Sequence, residues 1–187
     1  MLNTVKKENE KENAKDILAT FAQYGFRKTS MEDIARAAGV SRQSIYKKFG
    51  SKEKCYEWTI HTYLSGMYAR IFAALSNEDL PPLRTLINVF DILIGEAVEI
   101  VRNSHGTEIL NDALQATHSS EEDWPLRFRA RLADFLERHN YASSEKATGT
   151  AFALISAGKG LLLEETSREQ FLEDMTVIIE SVVSQKS

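Results

Sequence analysis

The first hydrophobic pattern in the chain is helical. Ile17, Leu18 and Phe21 recur at the spacing of one helix face, which predicts an amphipathic helix rather than a strand. Gly25 follows these residues and is expected to end the helix, because glycine readily adopts the left-handed conformation that often follows a helix. The sequence therefore predicts a first helix that ends near residue 25.

Two shorter helices are predicted next. In "TSMEDIARAAGV", Ser30 can cap the helix start, Asp33 stands at the third helical position, and Gly39 ends about two turns of helix. Ser41 then caps a second short helix, "RQSIYKKF", which Gly50 closes. Two short helices joined through "AAGVS" have the dimensions of a helix-turn-helix.

The remaining chain also has helical spacing. A long helix is predicted over residues 51–76, and Pro81 and Pro82 open the next one, where the first amides need no partner inside the helix. Its predicted inward stripe comprises Leu83, Leu86, Ile87, Phe90, Ile94, Ala97, Val98 and Val101. Further helices are predicted over "GTEILNDALQATH", "EDWPLRFRARLADFLERHN", "SSEKATGTAFALISAGKGLLLEE" and "SREQFLEDMTVIIESVV", the last with a capping box from Ser167 to Gln170. The sequence therefore predicts an all-α fold of about nine helices.

Charge is unevenly distributed along this helical chain. Residues 1–54 carry 12 Lys and Arg against 7 Asp and Glu, a net charge of +5, whereas the other 133 residues carry −9. A basic segment in a chain of net charge −4 indicates a polyanionic partner for that segment alone. The alternative is a solvated basic face that has no partner.

The helix-turn-helix has a physical basis in its small and apolar residues. Ala35 is small where the second short helix passes close to the first, and Gly39 can supply a positive φ where the chain reverses. Ile34, Val40 and Ile45 are expected to fill the space between the helices. The opposite face of the second short helix is then left to solvent or to a ligand.

That outward face predicts DNA recognition. Arg42 can bond guanine O6 and N7, and Gln43 can bond adenine N6 and N7, at the helix end that enters the major groove. Serine, tyrosine and lysine are common partners of phosphate oxygens. The predicted DNA-binding residues are Thr29, Ser41, Arg42, Gln43, Ser44, Tyr46, Lys47, Lys48 and Lys52. As alternatives, Arg42 and Gln43 are plain surface residues, Tyr46 packs on the first short helix, and Thr29 only starts a helix.

The stretch from 17 to 56, "ILATFAQYGFRKTSMEDIARAAGVSRQSIYKKFGSKEKCY", resembles the TetR family of one-component regulators. The resemblance lies in "FAQYGF" at the end of the first helix, "TSMEDIA", "AGVS" at the turn and the aromatic and basic "IYKKFGSKEK". Gln43 departs from it, since relatives often have a small residue or proline there, so their operator sequences do not transfer. The resemblance implies a DNA-binding domain over 1–54 and a helical effector-binding and dimerisation domain over 55–187.

Three further expectations follow from the resemblance. It implies a homodimer joined by the last two helices, a double-stranded DNA operator that is a pseudo-palindrome, and a cavity for a small-molecule effector that releases a repressor. The predicted dimer interface comprises Ala151, Leu154, Ala157, Gly158, Leu161, Phe171, Met175, Ile178 and Val182. The first of these two helices is apolar over more than one face, which independently favours burial on both sides. Candidate effector-lining residues are Trp58, Phe90, Trp124 and Phe128, with ordinary core packing as the alternative.

Other classes of site find little support in the sequence. His61, His105, His118 and His139 are scattered without ligand spacing, so no metal site is expected, and no cofactor motif or catalytic constellation is present. Cys55 is expected to be a packed, unreactive thiol in a reducing cytosol. The polar first residues carry no signal peptide and no run is long enough to cross a membrane, which predicts a cytoplasmic protein. The rivals are an all-helical enzyme or carrier and a non-specific architectural DNA binder.

Overall fold

The computed structural model describes residues 2–119, 123–164 and 167–183, with side chains from Asn13 onward except those of residues 118 and 119. Helix is the regular structure throughout these ranges, which confirms the all-α prediction. Nine helices follow in order: α1 Leu2–Lys28, α2 Met31–Ala37, α3 Arg42–Phe49, α4 Lys52–Ser76, α5 over 82–101, α6 Gly106–Ser119, α7 Trp124–Arg138, α8 Ser144–Leu163 and α9 Arg168–Val183. No helix in the described ranges is long and apolar enough to cross a membrane.

The chain forms two compact units. The first contains the described residues within 1–66 and 100–119, and the second contains those within 67–99 and 120–187. Helix α4 therefore contributes its first part to one unit and its second part to the other. The predicted functional division at residue 54 stays a prediction, because compactness does not assign function.

Short-range signals set the ends of the helices in the first unit. Ser30 and Asp33 form the predicted capping box: the Ser30 side chain accepts from the Asp33 amide, and the Asp33 side chain accepts from the Ser30 amide. Gly39 has a φ of 64°. Its amide donates to Arg36 O at 3.2 Å, and the Val40 amide donates to Ala35 O at 3.0 Å, which together make a Schellman motif. The turn of the helix-turn-helix is thus closed by backbone bonds around a glycine.

The core of the first unit differs from the prediction at one residue. Ile34, Ala35 and Ile45 are buried as expected, but Val40 is 43% exposed. The expected packing of Val40 between the helices is therefore wrong. The Val40 amide takes part in the Schellman motif, while its side chain stays largely at the surface.

Helix α5 contains an irregular turn. Its segments are α-helical over Pro82–Phe90, π-helical over Asp91–Gly95 and α-helical over Glu96–Val101. A π-turn adds one residue and shifts the phase of the apolar stripe. Leu86, Phe90, Ile94 and Val98 are buried as predicted. Val89, before the π-helical segment, and Ile92, within it, are also buried and lie outside the predicted stripe.

Helices α8 and α9 pack on this irregular turn within the second unit. Gly158 permits a close approach, because a Cβ there would lie 2.8 Å from Ile94 Cδ1 and 3.6 Å from Met175 Sδ. Arg168 donates two hydrogen bonds of 2.7 Å to the Asp91 carboxylate, and this pairing raises the pKa of the arginine. Bidentate bonds of this kind fix direction as well as distance, so they tie α9 to α5.

Candidate DNA-binding surface

The candidate surface is built on α3, which begins at a serine cap. The Ser41 hydroxyl accepts from the Ser44 amide at 3.1 Å and lies 2.8 Å from the Ser44 hydroxyl. Both residues are exposed. The cap satisfies one of the helix's first amides, which have no partner inside the helix, and it orients the first turn of α3.

The two predicted base-reading side chains lie on the outer face of that turn. Arg42 and Gln43 are exposed, whereas Ile45 is 3% exposed and anchors the opposite face. The guanidinium of Arg42 lies 5.5 Å from the centre of the Tyr46 ring. A hydrogen bond to the Tyr46 side chain raises the pKa of Arg42. The charged end of Arg42 thus lies against the side chain of Tyr46, one turn further along α3.

A shallow depression accompanies these residues. It is lined by Gln43, Ser44, Tyr46 and Lys47. Donors and acceptors from one exposed helix face thus converge with a cation and an aromatic ring. This combination suits a base edge flanked by a phosphate.

Lys48 lies on a different neighbour. Its ammonium group is 4.2 Å from the centre of the Trp58 ring and 5.2 Å from the Phe49 ring. The lysine remains exposed while its position is set by aromatic rings. The structure thus brings the predicted effector residue Trp58 into contact with the predicted DNA-binding segment.

Lys52 has internal partners, in contrast to its predicted contact with DNA. Its ammonium donates to Phe26 O at 2.7 Å, to Thr29 O at 3.0 Å and to Arg27 O at 3.2 Å. Two carbonyl groups at the end of α1 and one directly after it thus hold this cation. The predicted phosphate contact of Lys52 stays a prediction, and the ammonium also serves as a cap for another helix.

Thr29 is also directed inward. It is 1% exposed, and its hydroxyl donates to Gly25 O at 2.8 Å. The predicted phosphate contact of this hydroxyl is therefore wrong, since burial keeps it from an external anion. Ser30 forms the cap of α2, and both the amide and the hydroxyl of Thr29 donate back to Gly25 O near the end of α1.

The candidate effector residues do not form one group in the structure. Phe90, Trp124 and Phe128 are buried in the second unit, whereas Trp58 belongs to the first. Tyr68, which the sequence analysis missed, lies 5.6 Å from the Trp124 ring and 6.4 Å from the Phe128 ring. Burial raises the pKa of Tyr68 to about 12, so its hydroxyl stays protonated near neutral pH. Helical spacing gives no signal that distinguishes this tyrosine from ordinary core.

Most of the predicted dimer interface is interior to one protomer. Ala151, Leu154, Gly158, Phe171 and Met175 are buried within the chain itself, so their assignment to an interface is corrected. Gly158, for example, lies against Ile94 and Phe90 of α5 and Met175 of α9. Ala157, Leu161, Ile178 and Val182 are half-buried.

The exposed apolar residues of α8 and α9 are different ones. Phe152 is 58% exposed, Leu163 77% and Val177 65%. Phe152 and Leu163 are eleven residues apart, about three helical turns, and so share a face of α8. The sequence analysis missed all three, because a helix that is apolar on two faces does not reveal which face its own core covers.

Two remaining predictions concern capping and ligation. Ser167 accepts from the Gln170 amide at 3.1 Å, but the Gln170 side chain donates forward to Asp174 at 3.0 Å. The predicted capping box is therefore only half formed. Within the ranges that the structure describes, no group of three or more His, Cys, Asp and Glu side chains could hold a metal ion. The predicted non-ligand His118 lies outside the described side chains.

Comparisons with known proteins point in one direction. Residues 17–57 match the model of a family described as bacterial regulatory proteins, tetR family. Over 171 residues the chain is 25% identical to the HTH-type transcriptional repressor DhaR of Mycobacterium sp. (strain GP1), covering 87% of this chain and 86% of DhaR. Over 72 residues it is 33% identical to the HTH-type transcriptional repressor KstR2 of Mycobacterium tuberculosis (strain ATCC 25618 / H37Rv), covering 38% of this chain and 36% of KstR2.

Solved structures share the fold over almost the whole chain. A transcriptional regulator from Aquifex aeolicus VF5 matches with a TM-score of 0.62 at 18% identity, covering 93% of this chain and 99% of that one. The regulator PfmR from Thermus thermophilus matches with a TM-score of 0.58 at 19% identity, covering 96% and 98%. At these sequence identities the structural similarity shows that the fold is shared.

Proposed function

Since the chain belongs to the TetR family of bacterial regulatory proteins and is a DNA-binding transcriptional regulator, we propose that it is a repressor that binds a pseudo-palindromic operator as a homodimer and is released by a small molecule. One observation carries the DNA-binding part of this proposal. Arg42 and Gln43 are exposed at the start of α3 while Ile45 anchors the opposite face. This is the arrangement with which a recognition helix presents side chains to base edges.

The proposed DNA contacts divide by chemistry. Arg42 and Gln43 read bases, and Ser41, Ser44, Tyr46, Lys47 and Lys48 approach phosphates and sugars. Thr29 and Lys52 are left out, because their polar groups bond to the protein backbone. The described part of the surface that meets DNA is thus smaller than the basic segment as a whole.

The proposed dimer uses the exposed apolar face of α8 and α9. Phe152, Leu163 and Val177 are large apolar side chains on the two helices through which the family resemblance implies dimerisation. A Cβ on Gly160 would meet no atom within 4 Å, so a second helix can approach α8 closely at that position. In a two-fold dimer the two α3 helices meet half-sites about 34–36 Å apart.

The proposed effector site centres on the aromatic cluster of the second unit. Tyr68, Trp124 and Phe128 supply apolar ring faces, and the protonated Tyr68 hydroxyl can donate one hydrogen bond. A compound that weakens DNA binding by some factor must itself bind the DNA complex more weakly by the same factor. Measuring both affinities for any candidate compound tests release as a thermodynamic coupling.

Selection of binding sites from a random-sequence duplex pool tests the reading of DNA. The wild-type protein is expected to enrich a pseudo-palindromic site. Arg42→Ala should then lower the preference for the correct base at one position of each half-site by roughly 5- to 150-fold, the range of one bidentate base contact. Lys47→Gln should weaken all sequences alike, since phosphate contacts carry no sequence information. No binding at low salt would refute the proposal, and binding without preference at about 150 mM salt would favour an architectural protein.

Sedimentation at several protein concentrations tests the dimer. Phe152→Glu and Val177→Glu each place a charge on the proposed interface and should shift the protein toward monomer. Leu126→Glu is the matched control, because Leu126 is a 53% exposed leucine on α7, outside the proposed interface. Equal shifts for the three variants, or none for the first two, would refute this interface.

A further inference from the structure

The last turn of α3 and the second turn of α4 meet through an aromatic pair and a cation. The rings of Phe49 and Trp58 have centres 4.9 Å apart and an interplanar angle of 51°. The Lys48 ammonium lies 4.2 Å from the Trp58 ring centre. At this distance a cation over the face of an indole is attracted by the negative charge of the ring face.

The tryptophan is fixed more firmly than the lysine. Trp58 is half-buried on α4, and Cys55, one turn earlier on the same helix, is fully buried. The Lys48 charge also reaches this region, because it opposes the effect of burial on the pKa of Cys55. The exposed end of a flexible side chain thus rests on a half-buried ring, one turn after a core residue of the same helix.

The neighbouring lysine provides a contrast on the same helix. Lys47 lines the surface depression together with Gln43, Ser44 and Tyr46. Two adjacent lysines of α3 therefore have different surroundings, one on the outer face of the helix and one on a ring of α4. Any special effect of the ring should appear at Lys48 and be absent at Lys47.

We propose that Trp58 is a positioning residue for DNA binding that acts through Lys48, holding its ammonium group where a phosphate of the DNA backbone arrives. This inference rests on the proposed DNA-binding function. A lysine ammonium has three donors, so an ammonium that rests against a ring face can also donate to an anion. Restricting the side chain before DNA binds removes part of the entropy that binding would otherwise cost.

A double-mutant cycle measures whether Trp58 acts through Lys48. The probe is a duplex selected by the wild-type protein from a random-sequence pool. Trp58→Leu should lower affinity by about two- to five-fold, the equilibrium factor of an exposed cation–π contact. The same substitution should have no effect in a Lys48→Gln background, and Trp58→Phe, which keeps a ring face, should retain most of the affinity. In the matched Lys47→Gln background, the full effect of Trp58→Leu should persist.

The salt dependence of binding identifies the phosphate contact. Lys48→Gln should lower the slope of log K against log salt by about 0.9, the value for one phosphate contact. Trp58→Leu should leave that slope unchanged, since the charge itself is still present. If Trp58 only packed against the protein, the effect of Trp58→Leu on DNA affinity would be the same with and without Lys48→Gln.

Tryptophan emission provides a readout that needs no DNA. The chain has two tryptophans, so Trp124→Phe leaves Trp58 as the reporter. Its emission should change on Lys48→Gln in the free protein, should change again when DNA binds, and should be insensitive to Lys47→Gln. Emission that is insensitive to Lys48→Gln would show that the contact is not occupied.

The outcomes separate this inference from the proposed function. Suppose that the wild type binds DNA but Lys48→Gln leaves the salt slope unchanged, or that the Lys48 and Trp58 substitutions have additive effects. Either result would overturn the role of Trp58 and leave the proposed DNA-binding function intact. No binding to any duplex at low salt would overturn both proposals. Thermal unfolding of each variant checks the fold, and a Trp58→Leu variant that does not fold leaves Trp58→Phe and the Lys48 variants to decide.

Discussion

The ammonium group of Lys52 donates a hydrogen bond of 3.0 Å to the backbone carbonyl of Thr29, 23 residues earlier in the chain. The same group donates to Phe26 O and Arg27 O, and it lies 4.6 Å from the centre of the Phe26 ring. The last carbonyl groups of a helix have no partner inside it. The first residue of α4 thus completes the end of α1 and holds α1 and α4 together at the base of the helix-turn-helix.

Replacing this cap should destabilise the protein. Lys52→Met removes the charged donor but keeps the length of the side chain, and it should lower the free energy of unfolding by about 1–3 kcal/mol, the scale of hydrogen bonds to charged groups. Urea unfolding measures the change. Lys54→Met is the control, since Lys54 is exposed on the same turn of α4. Equal losses for both variants would contradict the capping role.

Gly25 is expected to tolerate no side chain. Its φ of 77° and ψ of 155° are essentially confined to glycine, and a Cβ there would lie 2.9 Å from His105 Nδ1. Gly39→Ala, with a positive φ but no atom within 4 Å of the new Cβ, should cost about 1–2 kcal/mol. Gly25→Ala should cost at least about 1 kcal/mol more, because the steric contact adds to the backbone strain.

Thermal or urea unfolding of these variants tests the steric contact. His105→Ala in the Gly25→Ala background should recover part of the loss, since it removes the ring that the Cβ would meet. The same His105→Ala substitution should recover nothing in the Gly39→Ala background. Recovery in both backgrounds would mean that the histidine acts by some other route.

Asp33 should make the stability of the first unit depend on pH, with a loss of stability at acid pH. The Ser30 hydroxyl and amide donate to its carboxylate at 2.6 and 3.0 Å and lower its pKa below the ordinary value of 3.8, with a smaller effect of Arg36. A carboxyl with a lower pKa in the folded state stabilises it above the ordinary pKa, and this contribution is lost as pH falls through the folded pKa.

The pH dependence of urea unfolding measures this contribution. The difference in stability between the wild type and Asp33→Asn should be full near pH 6 and should shrink as the pH is lowered below about 4. Glu32→Gln, which changes a neighbouring exposed carboxyl outside the capping box, is the control. A difference that stays constant down to acid pH would contradict the role of the ionised cap.

Cys55 should be inert toward thiol reagents in the folded protein. The residue is fully buried, and burial raises the pKa of its thiol to about 11. Because the thiolate is the reactive form, labelling at pH 8 should be slow in buffer and ordinary in denaturant. Rapid labelling of the folded protein would show that the start of α4 opens readily.

The features that could be predicted from sequence are those set by near neighbours. The capping box of Ser30 and Asp33, the left-handed glycine at 39 and the buried Ile34 and Ile45 all depend on residues within a few positions. Helical spacing therefore sufficed for the fold class and for most helix ends. The order of motifs from 17 to 56 sufficed for the family.

The errors occurred where distant segments decide the outcome. Lys52 carries the residue type of a phosphate contact, but its ammonium also bonds to Phe26 O, 26 residues earlier in the chain. Gly158 has the small size expected at a helix interface, but the helix it accommodates is α5 of the same chain. The π-turn at Asp91–Gly95 shifts the buried face of α5 and has no signature in the spacing of apolar residues.

The sequence by itself determined that the chain is helical, where most helices end, and that α3 exposes Arg42 and Gln43 on the face opposite the buried Ile45, because these properties follow from residues in contact along one helix. Only the tertiary structure decided that the Lys52 ammonium bonds to backbone carbonyl groups and that Phe152, Leu163 and Val177 are the large apolar side chains of α8 and α9 that stay exposed. Both depend on what the rest of the fold has already bound or covered, and spacing within one helix does not contain that information.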